Sequence, residues 1–405
     1  MNGETAARGQ STHQKILKEK LLVVFIILLG AFPPLSLDMN LPALPTMAKH
    51  FGATDAVMNL TLIVFFIVYA IASLIWGALS DKYGRKPVLI IGVLLYLLGS
   101  ILCSIAGTAA HLIAFRVIQG LGGGVTLTVS TAIVRDVYTG RKQESILSVV
   151  QSMTMICPVA APIIGAVLLN FTSWRGIYCA QAVFGVIVAV GTFLFSETIQ
   201  KYGAEGIVAT LGRLVAVSKK PAFIILTLVF HPVSVGLMVF VTASAYIFQD
   251  YFGISPQVYS YFFSINAVGM VAGPLLYIWI SKRFRRNTVV KVCFLILLIS
   301  GMLVAAAGAK NPWLFSFLLL PSSLAGSCIR PPGTFLLLSM HRNDIGSASA
   351  VITFSGIIFG SLGMITASLL PFNMIPAIGV INFLTALISG GIWIVIEKKY
   401  SDRNE

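Results

Sequence analysis

Long apolar runs alternate along the chain with short polar connections. The runs lie near 20–40, 55–79, 88–107, 110–133, 144–170, 176–196, 222–246, 257–281, 288–308, 312–338, 345–370 and 375–396. A bilayer core of ~30 Å is crossed by about 20 apolar residues in a helix, and a helix satisfies its own backbone polar groups in lipid. The pattern therefore predicts an all-α membrane protein with twelve transmembrane helices. The fifth, tenth and eleventh runs are interrupted by Pro and Gly and are the least regular.

The longest polar connection, 197–221, carries Glu197, Lys201, Glu205, Arg213, Lys219 and Lys220, and it divides the runs six to six. The organisation expected is an N-terminal tail over 1–19, a six-helix bundle over 20–196, a linker over 197–221, a second bundle over 222–396 and a tail over 397–405. Within the linker, Ile207–Val217 reads equally as a short amphipathic surface helix or as a plain connection. A shift of 200 residues sets Lys82 on Lys282, Arg85 on Arg285, Lys86 on Arg286 and the His111 loop on the Asn311 loop. Two such pseudo-symmetric bundles are one plan for secondary transporters, with substrate held between the repeats and exposed alternately on either side.

Composition excludes a soluble domain. Only 10% of the 405 residues are charged, against roughly 25% in soluble proteins, and mean hydropathy is +0.92. The net charge of +14 would suggest nucleic acid until the charges are placed. With the N-terminus on the cytoplasmic side, only Lys49, Arg175 and Lys310 fall on the opposite face, and Arg116 and Arg330 lie inside apolar runs. All other Lys and Arg residues fall on the cytoplasmic connections and tails, which is the positive-inside pattern. The basic excess thus reports topology and contact with lipid, with no nucleic-acid partner. The five cysteines (Cys103, Cys157, Cys179, Cys293, Cys328) sit in apolar runs without CxxC spacing and read as free thiols rather than metal ligands or disulfides. The basic N-terminal tail before Leu21–Phe32 resembles a signal peptide, but no small-x-small cleavage site follows, so the run is expected to be a retained first helix.

No GxxxxGK[ST] loop, HExxH, GxSxG or paired-acid arrangement occurs, which argues against an enzyme or a nucleotide-driven pump. The run Gly120-Leu-Gly-Gly-Gly124 lies within an apolar segment, where small residues permit close helix contact rather than dinucleotide binding. The candidate chemistry is concentrated in four places. The first is a polar strip, Gly77-Ala-Leu-Ser-Asp81-Lys-Tyr-Gly84-Arg85-Lys86-Pro87, between the second and third runs. The second is Asp38, the single acid placed clearly within a run, followed by Met39-Asn40-Leu41-Pro42. A buried carboxylate exchanges its proton according to what lies beside it, so Asp38 is a candidate proton carrier; its other reading is a carboxylate capping the turn before Pro42. Third, Arg116 in the fourth run should face a cavity or a partner rather than lipid, and Gln119 shares its helical face. Fourth, the fifth run holds Met155, Pro158, Pro162 and Gly165, the composition of a kinked helix able to approach a neighbour closely. Arg330, before Pro331-Pro332, reads equally as functional or structural, and His231 beside Pro232 reads as a polar group at a helix start.

These motifs together resemble the major facilitator superfamily, specifically its drug:proton antiporters of the bicyclomycin/chloramphenicol-resistance type. Gly77–Lys86 resembles the superfamily's loop 2–3 signature, Arg116-Val-Ile-Gln119-Gly120 its fourth-helix motif, and Asp38–Pro45 the first-helix motif of the drug exporters. Ala161-Pro162-Ile-Ile-Gly165-Ala166 is similar to the antiporter motif GPxxGG, with both flanking glycines replaced, and Trp174-Arg175 also fits. Two departures stand out. A further acid found in some relatives is here Gly30, and the second-half counterpart of Asp81 is Ser281.

The resemblance implies a proton-coupled exporter of small amphipathic compounds such as antibiotics, monomeric, in the bacterial inner membrane with both termini cytoplasmic. It needs no cofactor beyond the proton gradient. It implies coupling by Asp38 and Arg116, and substrate contact at Asp38, Leu62, Arg116, Gln119, Met155 and Pro158. It also implies a gate at Gly77, Asp81, Gly84, Arg85, Lys86 and Asp136, and an antiporter motif at Pro158, Pro162 and Gly165. A dedicated metabolite or siderophore exporter is the alternative on the same fold. A receptor or channel is the remoter one, since neither a large cytoplasmic domain nor a continuous polar pore is visible in the sequence.

Overall fold

The structure is a computed structural model, and it describes residues 17–199, 207–341, 345–369 and 374–401. Most of both tails and part of the linker lie outside that set. Helices account for nearly all of what is described. In the first half they are α1 (Glu19–Asp38), α2 (Asp55–Tyr83), α3 (Arg85–Ser104), α4 (Ala109–Val137), α5 (Gly140–Phe171) and α6 (Trp174–Leu194). A linker helix, Ile207–Ser218, follows. In the second half, α7 comprises Pro221–Phe230 and Val233–Tyr246 and ends in a π turn at Ile247–Tyr251. Then come α8 (Pro256–Ile280), α9 (Arg286–Ala307), α10 (Pro312–Cys328 with Arg330–Ser339), α11 (Ile345–Leu369) and α12 (Met374–Ser401).

Among the described residues, ten of these rods are long and apolar enough to cross a membrane on their own. An eleventh forms when Glu19–Phe32 is joined, across a 40° bend at Pro33, to Pro34–Phe51. The remaining rod, α5, is 32 residues long, but its apolar part is confined to Ile156–Phe171. Its first half is polar, and Pro158 and Pro162 interrupt the ladder. The chain is thus a multi-pass helical membrane protein of the architecture expected.

Two boundaries differ from the sequence reading. The strip Gly77–Pro87 is not a loop: α2 runs on to Tyr83 and α3 starts at Arg85, so the turn is the single residue Gly84. Gly84 has φ 103° and ψ 154°, a region open essentially to glycine alone. The tenth run is broken at Ile329, and the seventh at His231–Pro232, where Pro232 cannot donate to the helix ladder. His231 bridges that break, with Nε2 3.0 Å from the carbonyl of Ile352 on α11.

Polar side chains set several helix starts. Thr108 accepts from the His111 amide at 3.1 Å and Asn311 from the Leu314 amide at 2.7 Å. Such caps satisfy amides that a helix leaves without partners at its first turn. The loops they close, at 104–108 and 308–311, sit at the same end of the molecule as Gly52, whose left-handed backbone (φ 59°) ends the helix Leu44–Phe51.

In the first half, α4 lies between α2 and α3 at very close range. A Cβ at Gly122 would strike the backbone of Tyr96 and Gly92 on α3, and one at Gly120 would meet the Phe65 carbonyl on α2 at 2.9 Å. The glycine run is therefore a packing seam. The apolar core is divided unequally: one cluster, around Val93 and Val129, belongs to the first half, and another, around Leu226 and Trp393, to the second. The largest joins both halves, with Leu41, Met58 and Leu62 packed in one body with Phe240, Phe248 and Phe262.

Polar contacts between the halves cluster at that same end. Gln249 donates to the Pro42 carbonyl (3.0 Å), Lys49 pairs with Asp250 (3.1 Å), and Gln257 donates to Asn170 (2.5 Å). Ser264 on α8 donates to the Val159 carbonyl on α5 (2.8 Å). At the Gly77–Pro87 end the linker helix touches both α2 and α11.

Gly122→Ala is expected to destabilise the protein by about 1–3 kcal/mol through overpacking, read as a lower midpoint of thermal unfolding in detergent. Gly391→Ala, inside α12 on a surface where a Cβ meets nothing within 4 Å, is expected to leave the midpoint unlowered or to raise it slightly.

Candidate functional site

Arg116 lies seven residues into α4 and is fully buried. Its partners are neutral. Nε donates to the Thr61 carbonyl on α2 (3.0 Å), and Nη1 donates to the Ser36 carbonyl on α1 (3.1 Å) and to Gln119 Oε1 (2.6 Å). The guanidinium stacks 4.2 Å over the Phe65 ring. Gln119 passes the network on, donating to Ser100 Oγ on α3 (2.8 Å) and to Gln181 Oε1 on α6 (2.9 Å). Ser36 Oγ donates to the Phe32 carbonyl and accepts from Tyr96 (2.5 Å). Arg116 and Gln119 together therefore tie α1, α2, α3, α4 and α6. Two buried atoms in this centre have no partner, Arg116 Nη2 and Asn40 Oδ1.

Asp38 ends α1 and is 6% exposed. Among the described residues no hydrogen bond or ion pair holds its carboxylate, and the two charges that the sequence singled out are not paired with each other. Asn40, two residues on, donates to the Ser36 carbonyl, the same oxygen that receives Arg116 Nη1 (2.8 and 3.1 Å). Leu37 and Met39, which flank it, belong to the core shared by the two halves, so Asp38 sits where the halves meet.

α5 packs closely on the chain there. A side chain at Gly165 would strike the carbonyl of Met39, the residue after Asp38. Pro162 and Gly165 are buried and Pro158 half-buried. Leu62 is fully buried in the core shared by the halves, rather than at an open surface. The side chain of Met155 lies outside the described residues.

At the other end of the first half, Arg85 organises the strip. Its guanidinium pairs with Asp81 (2.5 Å) and Asp136 (2.9 Å) and donates to Ser80 Oγ (2.7 Å). The Arg85 side chain is 8% exposed and that of Asp81 is 62% exposed. Gly77 packs against Thr128 on α4, and Lys86 Nζ donates to the Phe193 carbonyl at the end of α6 (2.8 Å). All these bonds lie within the first half. The strip is joined to α4 and α6 and, among the described residues, makes no polar bond to the second half.

Sequence reasoning missed Glu197, which it placed as an ordinary linker charge. Glu197 accepts from the backbone amides of Arg85 and Lys86 (3.0 Å each) and from those of Thr198 (2.9 Å) and Ile199 (3.1 Å). A carboxylate at the start of α3 complements the unpaired amides and positive dipole end of that helix. A Cβ on Gly84 would lie 2.5 Å from Glu197 Oε2, which is the second reason that position is glycine. The available signal was the acid at the end of an apolar run facing a strip that supplies a helix start with no capping side chain of its own. Ser36, Tyr96, Ser100 and Gln181 were also missed, being ordinary polar residues in apolar runs.

A family model described as Major Facilitator Superfamily matches residues 26–245. YdgK of Bacillus subtilis, described as an uncharacterised MFS-type transporter, is 27% identical over 97% of this chain and 99% of its own. A bicyclomycin resistance protein homologue from Haemophilus influenzae is 27% identical over 70% of this chain and 73% of its own. The multidrug resistance protein MdtL of Escherichia coli O81 is 36% identical over 41% of this chain and 42% of its own. Among solved structures, the Escherichia coli xylose transporter XylE in a partially occluded inward-open conformation superposes with a TM-score of 0.72 at 13% identity. That match covers 92% of this chain and 96% of XylE.

Glu197→Gln is expected to weaken the anchoring of α3, because an amide replaces a charge that accepts four backbone bonds. Hydrogen bonds to charged groups contribute about 1.5–3 kcal/mol. The effect is expected as faster proteolysis at the 77–87 segment and a lower thermal midpoint, with Glu197→Asp intermediate.

Proposed function

Because the chain belongs to the Major Facilitator Superfamily, we propose that this transporter is a proton-coupled exporter of small amphipathic compounds, antibiotics among them, across a bacterial inner membrane. It is a transporter and not an enzyme. The export reading is supported by resemblance to the bicyclomycin resistance homologue and MdtL, and by the first-helix and fifth-helix motifs around Asp38 and Gly165. The distribution of Lys and Arg supports cytoplasmic termini, which puts the Gly77–Pro87 strip on the cytoplasmic side and the joined end on the outside.

The observation that carries the coupling assignment is the contrast between the two buried charges. Arg116 is held by fixed neutral groups on α1, α2 and α4, whereas Asp38, at the meeting of the halves, has no fixed partner among the described residues. A carboxylate so placed takes its charge state from what approaches it. With the outside joined, a substrate entering from the cytoplasm displaces the proton from Asp38. With the outside open, a proton returns to Asp38 and the substrate leaves. Arg116 and Gln119 position α1, and the unpartnered Arg116 Nη2 is a donor available to an incoming polar group. Gly165 and the two prolines of α5 keep that helix hard against Met39, so that movement of either half is felt at Asp38.

In this reading the strip is the inner latch. Arg85 stays tied to Asp136, and Asp81, turned to solvent, is the member positioned to meet the second half when the inner side closes. A state-dependent ion pair biases one conformation over the other by its differential interaction with each. Gly84 and Lys86 fix the turn that presents it.

The test is uptake of ethidium by inside-out membrane vesicles under an imposed pH gradient. Asp38→Asn is expected to reduce gradient-driven accumulation at least tenfold while leaving ethidium exchange down its own gradient. Accumulation equal to wild type would overturn the coupling assignment.

A further inference from the structure

We propose that the outer seam between the halves holds a second binding site, distinct from the Asp38 region, for a protonated amine carried on an apolar body. The site is a cavity of about 420 Å³. The first half contributes the start of α2, with Asp55 and Asn59, and the second contributes the end of α7, with Tyr246 and Asp250. Ile247, Met374 and Ile375 supply its apolar wall.

The polar groups of this cavity are predominantly acceptors, its side-chain donors being the Asn59 amide N–H and the Thr54 hydroxyl. Asn59 is 1% exposed, yet its Oδ1 has no hydrogen-bond partner, and Asn59 lines the cavity. A buried polar atom without a partner costs about 1–3 kcal/mol, a cost that a donor entering the cavity removes. Three of the four hydroxyls that line it spend their protons elsewhere: Tyr246 on the Asp55 carbonyl (3.5 Å), Tyr251 on the Ala309 carbonyl (3.4 Å) and Ser368 on the Met364 carbonyl (2.9 Å). Each is left with lone pairs to offer. Two carboxylates complete the lining. Asp250 is shared with Lys49, whose side chain is 77% exposed, and Asp55 has no ion-pair partner among the described residues. The balance is one unneutralised negative charge, several acceptors and an apolar wall. That matches an N–H-bearing cation, with an aromatic or aliphatic body against Ile375 and Met374. It does not match an anion or a neutral donor-poor molecule.

Because the lining comes from both halves, the site is complete only while the outer seam is formed. A ligand that binds one of two states shifts the population toward it, so an amine seated here holds the outside shut. The site therefore acts from the outer face as a brake on the transport cycle. This inference goes beyond the export reading and does not require Asp38 to carry the proton.

Thermal-shift titration and calorimetry of the purified full chain in nanodiscs would test it, with phenethylammonium as the probe and 2-phenylethanol as its uncharged counterpart. Saturable binding of about one phenethylammonium per chain is expected, with a rise in thermal midpoint. 2-Phenylethanol is expected to bind at least tenfold more weakly. Asp55→Asn and Asn59→Ala are each expected to weaken phenethylammonium at least tenfold, whereas Asp38→Asn retains it. Asp55 lies at a half-exposed helix start, so Asp55→Asn reports binding even if Asn59→Ala folds poorly. The site is refuted by absence of saturable binding, by equal binding of the alcohol, or by unchanged affinity in Asp55→Asn. Loss of binding in Asp38→Asn with retention in Asp55→Asn would also refute it, by moving the amine to the Asp38 region.

Discussion

The first half of this protein is organised around a buried guanidinium that has no counter-ion among the described residues. An isolated charge in an apolar interior is costly unless hydrogen bonds replace its water. Arg116 meets that requirement with the carbonyls of Thr61 and Ser36, the amide oxygen of Gln119 and the face of Phe65. These partners sit on α1, α2 and α4, and Gln119 extends the set to α3 and α6. The helices must hold their mutual positions for the charge to remain solvated. The close glycine packing of α4 on its neighbours makes those distances possible, and the electrostatics and the packing thus support the same arrangement.

The consequence is a division of labour between two buried charges. Had Arg116 been paired with Asp38, both would be locked, and neither could respond to a substrate. Satisfying the arginine with neutral groups leaves the carboxylate without a fixed partner among the described residues, where the core joins the two halves. The seam, the core that spans both halves and the contact of Gly165 with Met39 converge within a few residues of it. At the opposite end, Arg85, Asp81, Asp136 and Glu197 form a second polar centre, complete within the first half. The molecule is thus joined by polar bonds at one end and carries a self-contained charged cluster at the other. Such asymmetry suits one of two alternating states.

Much of this was legible in the sequence because lipid makes helices declare themselves: apolar runs of fixed length, separated by short connections, left little freedom in the fold. Asp38 and Arg116 stood out because a charge in such a run needs a reason. The glycine run of α4 was readable as packing on the same grounds. What could not be read were partnerships across long separations. Glu197 lies 112 residues from the Arg85 amide that it caps, and Lys49 lies 201 residues from Asp250. The strip was misread as a loop because its charges were taken to end the helix, whereas α2 continues to Tyr83 and turns on Gly84 alone. Ser36, Tyr96 and Gln181 carried no signal, since only the arginine they surround gives them a role. The acceptor-lined cavity at the seam was invisible for the same reason, being assembled from five separate stretches of chain.

The central claim is that Asp38, left unpaired while Arg116 is satisfied, exchanges its proton for substrate. The most direct measurement is proton release on binding of tetraphenylphosphonium, a cation with no proton of its own, followed with a pH-indicator dye in weakly buffered detergent solution at mildly acidic pH. The account expects protons to be released as the cation binds to wild-type protein, and none to be released by Asp38→Asn at matched occupancy. Equal release by both proteins would place the coupling proton elsewhere and contradict the account.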